Sequence, residues 1–273
     1  MTAKFLQDVP VTANERLNES HFRLSFRFPE LAQTARPGQF ITLTRRLDDF
    51  RRLRRPFSLH RVTDDGIVQI LVKIVGESTA ALGNIKAGDT VNVLGPLGDG
   101  AFVVDPTRPR VLIVGGGIGI APFLFLLDEI TPRKDFAPEA FFGGRTATDL
   151  PALADFEAGD VPLLTATEDG SLGHRGLVTE VFSPRLTSLP AAECQVLACG
   201  PPAMLKAVAE QAAAAGVPCQ VSLENMMACG VGSCRGCVVQ VVENAADEGI
   251  PYLRVCHEGP VFEASQLVWS DLA

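Results

Sequence analysis

The sequence of 273 residues lacks an uninterrupted apolar segment long enough to cross a membrane. Its longest apolar run, Val111–Leu127, is broken by Gly115–Gly117, Gly119 and Pro122, so it is typical of a strand, a tight turn and a helix start. The first ten residues also lack the apolar stretch of about 7–15 residues that a secretory signal needs. We therefore expect a cytoplasmic protein with no membrane partner.

The sequence also lacks the positive charge that is typical of a nucleic-acid-binding protein, since its formal net charge is −8. The charge is uneven: residues 1–103 carry a net charge of +3, and residues 104–273 carry −11. Seven arginines fall between Arg45 and Arg61. This run is typical of a solvated loop, and the alternative is a local site for phosphate or for a partner protein. We expect no nucleic-acid partner.

The seven cysteines do not suit a disulfide framework, because their number is odd and the cytoplasm keeps thiols reduced. Three of them are scattered along the chain. The other four form the pattern C-x4-C-x2-C-x18-C, which comprises Cys229, Cys234, Cys237 and Cys256. This spacing is typical of a plant-type [2Fe–2S] cluster, which is held by four cysteine thiolates.

The loop that carries the first three of these cysteines is rich in small residues. Gly230, Gly232, Ser233 and Gly236 leave room for backbone N–H groups to approach bridging sulfides, and Arg235 offers a cation beside an anionic cluster. Zinc is the alternative metal, but zinc ribbons usually use paired C-x2-C knuckles. The first spacing here is four residues, so the pattern favours an iron–sulfur cluster over zinc or over cysteines that merely pack in a core.

The first part of the chain has the period-two alternation of antiparallel strands. In Phe22–Phe28, four apolar side chains alternate with arginine and serine. Further strands are predicted at Phe40–Leu43, Ile67–Val75 and Val91–Leu94, and a short helix at Ser78–Ile85. Several short strands separated by turn residues predict an antiparallel β-barrel over residues 1–103.

From residue 104 to residue 218, short strands alternate with helices, which predicts a parallel sheet with crossover helices. The predicted strands are Val111–Val114, Ala140–Phe142, Val161–Thr167 and Gln195–Cys199, and the predicted helices run from about Ile120 to Ile130 and over Ala203–Ala215. Residues 219–273 are too few for an independent core, so we expect the group bound by their cysteines to hold them together. The expected fold class is a multi-domain β plus α/β protein with a small C-terminal [2Fe–2S] module.

A glycine-rich turn follows the first strand of the predicted parallel sheet. It reads Gly115-Gly116-Gly117-Ile118-Gly119-Ile120-Ala121-Pro122, and it departs from the Rossmann pattern because Ile120 stands at the third glycine position. Glycines there let the backbone approach a pyrophosphate at a helix N-terminus. It fits the G-x-G-x-G-x-A-P turn of ferredoxin-reductase pyridine-nucleotide domains, so we expect a nicotinamide nucleotide at this turn.

A second loop, Cys199-Gly200-Pro201, ends a strand of the same sheet, where ligands of parallel sheets bind. A lone cysteine such as Cys199 is also typical of a buried core position. Only Arg145 is basic in the loop after Phe142, and Glu168-Asp169 follow the next strand. Both observations favour NADH over NADPH.

Two further segments indicate a flavin. In Arg55-Pro56-Phe57-Ser58, an arginine can neutralise a pyrophosphate, an aromatic ring can lie against the flavin, and a hydroxyl can reach its N5 edge. In Gly76-Glu77-Ser78-Thr79, small residues open a helix whose free N–H groups can hold a phosphate. Together the two segments resemble the split signature of ferredoxin-reductase-type flavoproteins, which implies bound FAD.

The flavin barrel, the nucleotide domain and the [2Fe–2S] module stand in an order that resembles the electron-transfer subunits of the class 1B dihydroorotate dehydrogenases. The segments Glu224–Cys237 and Val255–Phe262 fit that family as well. The resemblance implies that NADH reduces FAD and that electrons then pass singly through the cluster. It also implies the residues that hold FAD, namely Arg55, Pro56, Phe57, Ser58, Leu71, Val72, Lys73, Gly76, Ser78 and Thr79.

The same resemblance implies a partner, an FMN-containing dihydroorotate dehydrogenase catalytic subunit, in a heterotetramer of two copies of each chain that serves pyrimidine biosynthesis. No side chain of this chain is then expected to act as a general acid or base, because the cofactors supply the chemistry. The alternative is an NAD(P)H-oxidising FAD/[2Fe–2S] subunit of another complex, such as a hydrogenase, a sulfite reductase or a ferredoxin-linked transhydrogenase. Ser78 departs from the family pattern, which often has glycine there.

Overall fold

A computed structural model describes residues 3–45, 53–242 and 251–272 and arranges them in two seven-stranded sheets and one two-stranded sheet. The first sheet is antiparallel and has the strand order β4-β3-β7-β1-β2-β6-β5. Its strands are β1 (Phe5–Arg16), β2 (His21–Arg27), β3 (Phe40–Thr44), β4 (Arg55–Ser58), β5 (Arg61–Val62), β6 (Ile67–Lys73) and β7 (Thr90–Leu97). Two short helices accompany it, α1 (Pro29–Ala32) and α2 (Glu77–Gly83).

The alternation in β2 explains how this sheet curls around a core. Phe22, Leu24 and Phe26 are fully buried, and they stand opposite Val72, Ile70 and Val68 of β6 in the antiparallel register. Because successive side chains of a strand point to opposite faces, these pairs all project to the same side of the sheet. The predicted antiparallel barrel is therefore confirmed.

The second sheet has the order β11-β10-β9-β8-β12-β13-β16, and all of its pairs are parallel except the last. Its first six strands in chain order are β8 (Arg110–Gly116), β9 (Ala137–Gly144), β10 (Leu163–Thr167), β11 (His174–Arg175), β12 (Cys194–Cys199) and β13 (Cys219–Ser222). The helices are α3 (Phe123–Ile130), α4 (Leu153–Glu157), α5 (Val178–Thr187) and α6 (Pro202–Ala214). This confirms the predicted parallel α/β sheet.

The C-terminal segment returns to that parallel sheet. A two-stranded hairpin is formed by β14 (Val238–Gln240) and β15 (Tyr252–Arg254), and β16 (Val261–Glu263) then pairs antiparallel with β13. Residues 219–222 and 261–263 thus lie in the sheet of the preceding segment, whereas the sequence places both in the C-terminal module. The pairing of β12 with β13 therefore joins residues on both sides of residue 219, where the clustered cysteines suggest a domain boundary.

The glycine-rich turn differs locally from the helix predicted to begin at about Ile120. Gly117–Ile120 form a 3₁₀ turn, and the α-helix α3 begins only at Phe123. Pro122 is the N-cap of α3, which suits a residue that has no backbone N–H to donate. None of the helices within the described residues is long and apolar enough to span a membrane.

The arginine run contributes in part to packing. Arg54 donates hydrogen bonds to the carbonyl oxygens of Thr42 at 3.4 Å and Asn92 at 3.3 Å, so it braces β3 and β7. Arg55 is exposed at the start of β4. Three other arginines of the run lie outside the described residues, namely Arg46, Arg51 and Arg52.

Polar contacts join the barrel to the parallel-sheet region. His60 is fully buried; its Nδ1 lies 2.8 Å from the carbonyl oxygen of Ala121, and its Nε2 lies 3.7 Å from a carboxylate oxygen of Asp155. The guanidinium of Arg23 also pairs with Asp155. His60 and Arg23 together hold the pKa of Asp155 below its usual range, against the opposing effect of burial.

This low pKa predicts an acid-sensitive contribution to stability. A carboxylate with a lowered folded-state pKa stabilises the fold fully above the unfolded pKa of about 3.9, and this stabilisation is lost as the pH falls through the folded pKa. Asp155→Asn should lower the free energy of unfolding at pH 7 by roughly 1 kcal/mol. Urea unfolding from pH 7 to pH 3 should show this difference shrinking below pH ~4. The exposed control Asp160→Asn should show no such trend, and equal behaviour of both variants would contradict the assignment.

Candidate functional site

A cavity of about 880 Å³ lies between the barrel and the parallel sheet. Its walls combine the ends of β4 and β6, the start of α2 and the segment that follows β13. Nine of the ten residues predicted to hold FAD line it, namely Arg55, Pro56, Phe57, Ser58, Leu71, Lys73, Gly76, Ser78 and Thr79. The tenth, Val72, differs because its side chain is fully buried in the barrel core, on the opposite face of β6.

The turn before α2 has an open backbone face at this cavity. A Cβ added to Gly76 would meet nothing within 4 Å, so a ligand can approach this backbone closely. The hydroxyl of Thr79 accepts hydrogen bonds from the N–H groups of Val75 at 2.9 Å and Gly76 at 3.2 Å. Thr79 therefore shapes the turn, which leaves Ser78 as the hydroxyl that is free to reach a phosphate.

A second cavity, of about 700 Å³, opens at the carboxyl edge of the parallel sheet. Of the seven residues predicted for the nucleotide, four line it, namely Gly116, Gly117, Gly200 and Pro201. Gly117 has φ +56°, in the left-handed region that favours glycine, and a Cβ there would meet nothing within 4 Å. This backbone is open to a pyrophosphate, as the glycine-rich turn predicts.

The other three predicted nucleotide residues lie behind this surface. A Cβ on Gly115 would stand 2.8 Å from the Ile120 side chain, and one on Gly119 would stand 2.4 Å from the carbonyl oxygen of Cys199. Cys199 is itself buried, and burial raises the pKa of its thiol far above the usual range. These residues let the turn pack against the end of β12, so the structure places them beneath the cavity wall and not on it.

The two cavities share a boundary, which is lined by Lys73, Ile118, Leu223, Glu224 and Asn225. The Lys73 ammonium, from the barrel, lies 2.9 Å from the Asp149 carboxylate of the parallel-sheet region, so an ion pair closes one side of the junction. Glu224 has no hydrogen-bond partner within the described residues; the residue as a whole is exposed, but the protein atoms around its carboxyl group displace water and raise the pKa of that group. A flavin in one cavity and a nicotinamide in the other would meet at this boundary.

Several lining residues were not among those predicted from the sequence. Glu224 and Asn225 belong to the segment that precedes the first cluster cysteine, and Trp269 and Leu272 come from the C-terminal segment. No local pattern marks them, because they reach the cavity only through the pairing of β13 with β12 and β16. The one sequence signal was indirect: Glu224 is the first residue of the segment Glu224–Cys237, which resembles the family.

The four predicted cluster cysteines come together as two pairs. The Cys234 N–H donates to Cys229 Sγ at 3.5 Å, and the Cys256 N–H donates to Cys237 Sγ at 3.4 Å. No group of three or more Cys, His, Asp or Glu side chains that could hold a single metal ion occurs in the described part of the chain. Two pairs of thiolates suit two irons that each take two sulfur ligands.

Backbone N–H groups point at these sulfurs. Cys229 Sγ accepts from Val231 and from Cys234, each at 3.5 Å, and Cys256 Sγ accepts from Gly232 at 3.2 Å. Burial alone would raise the pKa of Cys229, but these donors lower it to about 6. Burial and the neighbouring Cys237 raise the pKa of Cys256 to about 12. Such a set fits a cationic iron centre, which releases the remaining thiol protons when it binds.

The cysteine loop packs against the barrel beside the first cavity. A Cβ on Gly230 would lie 2.8 Å from the Thr42 side chain of β3, and the Asp99 N–H donates to the carbonyl oxygen of His257 at 2.7 Å. Met227 lines the cavity that is predicted for FAD and stands two residues before Cys229. These contacts make the cavity predicted for FAD a direct neighbour of the cysteine loop.

Comparison with known proteins matches three consecutive parts of the chain to domain families. Residues 8–102 match an oxidoreductase FAD-binding domain, and residues 113–210 match an oxidoreductase NAD-binding domain. Residues 224–268 match the iron–sulfur cluster binding domain of dihydroorotate dehydrogenase B. The chain is 35% identical to the dihydroorotate dehydrogenase B (NAD(+)) electron transfer subunit of Desulforamulus reducens, over 96% of this chain and 98% of that one.

The chain belongs to the family of dihydroorotate dehydrogenase B electron transfer subunits. A second family member, from Caldanaerobacter subterraneus subsp. tengcongensis, is 37% identical over 95% of this chain and 97% of its own. A solved structure of an NADH-dependent reduced ferredoxin-NADP oxidoreductase is also similar, with a TM-score of 0.82 and 30% identity, over 97% of this chain and 91% of that one. As an electron transfer subunit of this family, the chain is an oxidoreductase with FAD, nicotinamide-nucleotide and iron–sulfur domains.

Proposed function

We propose that this chain passes electrons between NADH/NAD⁺ and an FMN-containing dihydroorotate dehydrogenase catalytic subunit. It would do so in the cytoplasm, for pyrimidine biosynthesis, as part of a heterotetramer with two copies of each chain. Three functional segments are proposed: residues 1–103 for FAD, residues 104–218 for the nucleotide and residues 219–273 for the cluster. The observation that carries the proposal is Met227, which lines the flavin cavity two residues before the ligand Cys229.

The chain's own residues bind and orient the two redox partners at the boundary of the cavities. Gly117 presents open backbone to the nucleotide, and the turn at Gly76 does the same for the flavin pyrophosphate. Gly200 also lines the nucleotide cavity, but a Cβ there would lie 2.7 Å from the Met204 side chain, so this glycine permits the close packing of the loop. The ion pair of Lys73 with Asp149 fixes the barrel against the parallel-sheet region at this point. Bound FAD would supply the hydride acceptor for NADH at this boundary, and a cluster held by the four cysteines would supply single-electron transfer.

The cysteine loop provides the route by which electrons leave this chain. Cys256 and Cys237 are buried, whereas Cys234 is exposed and Cys229 is half-buried. We propose that Cys229, Cys234, Cys237 and Cys256 are the four ligands and that the partner docks over the exposed side of Cys234. Since electron transfer is fastest over short distances, an exposed ligand is the natural contact with a second subunit.

The experiment that tests this function is purification of the native complex, followed by an anaerobic assay of NADH-dependent orotate reduction. Activity together with a co-purifying FMN-containing subunit would support both the substrate and the partner. A coloured complex that NADH reduces but that is inactive on orotate would contradict the proposed partner, and would leave the cofactor assignments standing.

A second candidate function rests on the similarity to the NADH-dependent reduced ferredoxin-NADP oxidoreductase structure. In that case the chain would belong to a complex that exchanges electrons with ferredoxin and NADP⁺. The same purified complex separates the two candidates. Reduction of NADP⁺ by reduced ferredoxin, without any orotate reduction, would favour the second.

Nucleotide selectivity provides a further prediction, which concerns Glu168 at the end of β10. Glu168 lines the nucleotide cavity, and we propose that its carboxylate disfavours the extra phosphate of NADPH. Glu168→Gln should raise the ratio of kcat/KM for NADPH to that for NADH by about tenfold, which corresponds to ~1.4 kcal/mol. Diaphorase assays with both nucleotides measure this ratio.

Asp169 offers the matched control for this prediction. Its carboxylate already accepts hydrogen bonds from the N–H of Ser171 at 2.9 Å and from the Ser171 hydroxyl at 2.6 Å, and it does not line the cavity. Asp169→Asn should therefore leave the selectivity ratio near the wild-type value. If both variants change the ratio equally, or if neither does, Glu168 does not determine selectivity.

A further inference from the structure

The side chain of Arg254 joins three parts of the cysteine module. Arg254 ends β15, and its Nη1 donates to the carbonyl oxygen of Gly232 at 2.9 Å. Its Nε lies 3.1 Å from each carboxylate oxygen of Glu258, and its backbone N–H donates to Glu258 at 2.6 Å. The guanidinium is about three-quarters buried, as is the Glu258 carboxylate. Arg254 thus links the cysteine loop to the segments on both sides of Cys256.

The residue that Arg254 holds is also the one that donates to a ligand sulfur. Gly232 contributes its N–H to Cys256 Sγ at 3.2 Å, while its carbonyl accepts from Arg254. Gly232 has φ +84°, and a Cβ there would lie 2.7 Å from the His257 ring, so its position leaves little freedom. Arg254 therefore fixes the orientation of Gly232, and with it the direction of the N–H that meets Cys256.

Hydrogen bonds to cluster sulfurs and nearby cations both stabilise the more negative, reduced form of a cluster, so both raise its reduction potential. A bidentate arginine–carboxylate contact is well suited to hold such a donor, because its planar fork has a fixed geometry. Glu258 supplies that contact here, and it leaves Nη1 free for Gly232.

We propose that Arg254 is a positioning residue that sets the reduction potential of the cluster by holding the Gly232 N–H on the Cys256 sulfur. This inference rests on the ligand set proposed above. It concerns the chain's own hydrogen bonds and requires no change in the ligands themselves.

The test compares Arg254→Gln with a matched control, Arg235→Gln, in the full chain. Arg235 also lies on the cysteine loop, next to Cys234, but it is exposed and has no hydrogen bond to the loop among the described contacts. Midpoint potentials are measured by redox titration monitored by electron paramagnetic resonance. Arg254→Gln should lower the ratio of reduced to oxidised cluster at a fixed potential by about tenfold, or about 59 mV for one electron. Arg235→Gln removes the same charge, but Arg235 is exposed and its charge is screened by solvent, so this variant should change the ratio much less.

A spectroscopic readout distinguishes positioning from charge alone. The readout is the resonance Raman spectrum of the oxidised cluster. The frequencies of its Fe–S(Cys) stretching bands shift on H/D exchange when an N–H group donates to the ligand sulfur. Arg254→Gln should weaken this response, and Arg235→Gln should leave it intact. An unchanged potential and an unchanged isotope response in a fully loaded Arg254→Gln protein would overturn the proposal, as would equal shifts of the potential in both variants.

Two further measurements keep the outcome decisive. If Arg254→Gln does not load iron, Arg254→Lys is used instead, since it keeps the charge but cannot form the fork with Glu258 and reach Gly232 as well. A lowered potential in that variant supports positioning, and a wild-type potential with a wild-type isotope response overturns it. Iron and sulfide analysis of the wild-type chain tests the ligand set separately: a wild type without a cluster refutes the proposed site, whereas a loaded wild type with unaffected variants refutes only the role of Arg254.

Discussion

Cys234→Ser is expected to stop electron delivery to the partner subunit while NADH still reduces the bound FAD at close to the wild-type rate. Cys234 is the exposed member of the four cysteines, and its N–H donates to Cys229 Sγ. Serine does not ionise as a thiolate, so the cluster should be lost or altered. Even changes to the outer partners of metal ligands typically cost roughly 10–100-fold, so removal of a ligand should lower delivery by more than about 100-fold.

Two assays on one preparation measure this separation. Anaerobic stopped-flow absorbance with NADH follows the flavin, and NADH-dependent orotate reduction by the reconstituted complex follows delivery. Cys219→Ala is the matched control, because Cys219 is a buried cysteine outside the cluster loop, on β13. It should retain both activities. Full delivery in Cys234→Ser would show that the cysteine loop is not on the electron path.

Gly76→Val is the second substitution with a large expected effect, and its target is the flavin. Gly76 has φ 171°, which is extended backbone that valine adopts readily, and its Cβ direction is free of protein atoms within 4 Å. The protein should therefore fold normally, while the new side chain fills space that we assign to the flavin pyrophosphate. We expect the affinity for FAD to fall by about 10–100-fold, or ~1.4–2.8 kcal/mol.

FAD content after gel filtration and FAD titration of the apoprotein measure this effect, and a thermal unfolding curve of the apoprotein checks the fold. Gly159→Val is the matched control, because Gly159 is exposed and the nearest atom to its added Cβ is the Phe156 carbonyl oxygen at 3.5 Å. Wild-type affinity in Gly76→Val would remove this turn from the flavin site. Equal loss of FAD in both variants would indicate general destabilisation and would contradict the specific role.

Local patterns predicted the elements of the fold well. The alternation around Phe22–Phe28 corresponds to β2, and the glycine-rich turn follows β8 as expected. Period-two burial and turn residues act within a few positions of the chain, so the sequence alone displays them. The strand β1, Phe5–Arg16, was not predicted, because its outward-facing side chains are mostly polar and only Val9 and Val11 are buried.

The site residues, like the strands and helices, were predicted correctly only in part. Open backbone at Gly76 and Gly117 was predicted from the residues that flank each turn, and the structure brings both to cavities. Cys199 and Val72 were also predicted as binding residues, yet the structure buries both side chains. Which face of a strand lines a cavity depends on the packing of the neighbouring sheet, and a motif does not specify that packing.

The sequence by itself determined the chemistry of this protein, because the spacing of four cysteines and two glycine-containing turns is a local property that each cofactor requires. Only the tertiary structure decided how those pieces connect. The pairing of β13 with β12 and β16 carries Glu224 to the boundary of the two cavities and Met227 to the flavin cavity. The separate pairing of β14 with β15 sets Arg254 opposite Val238, and the Arg254 side chain then reaches Gly232, which is 22 residues away in the chain. Such contacts depend on strand pairing between distant segments, and no short-range pattern encodes that pairing.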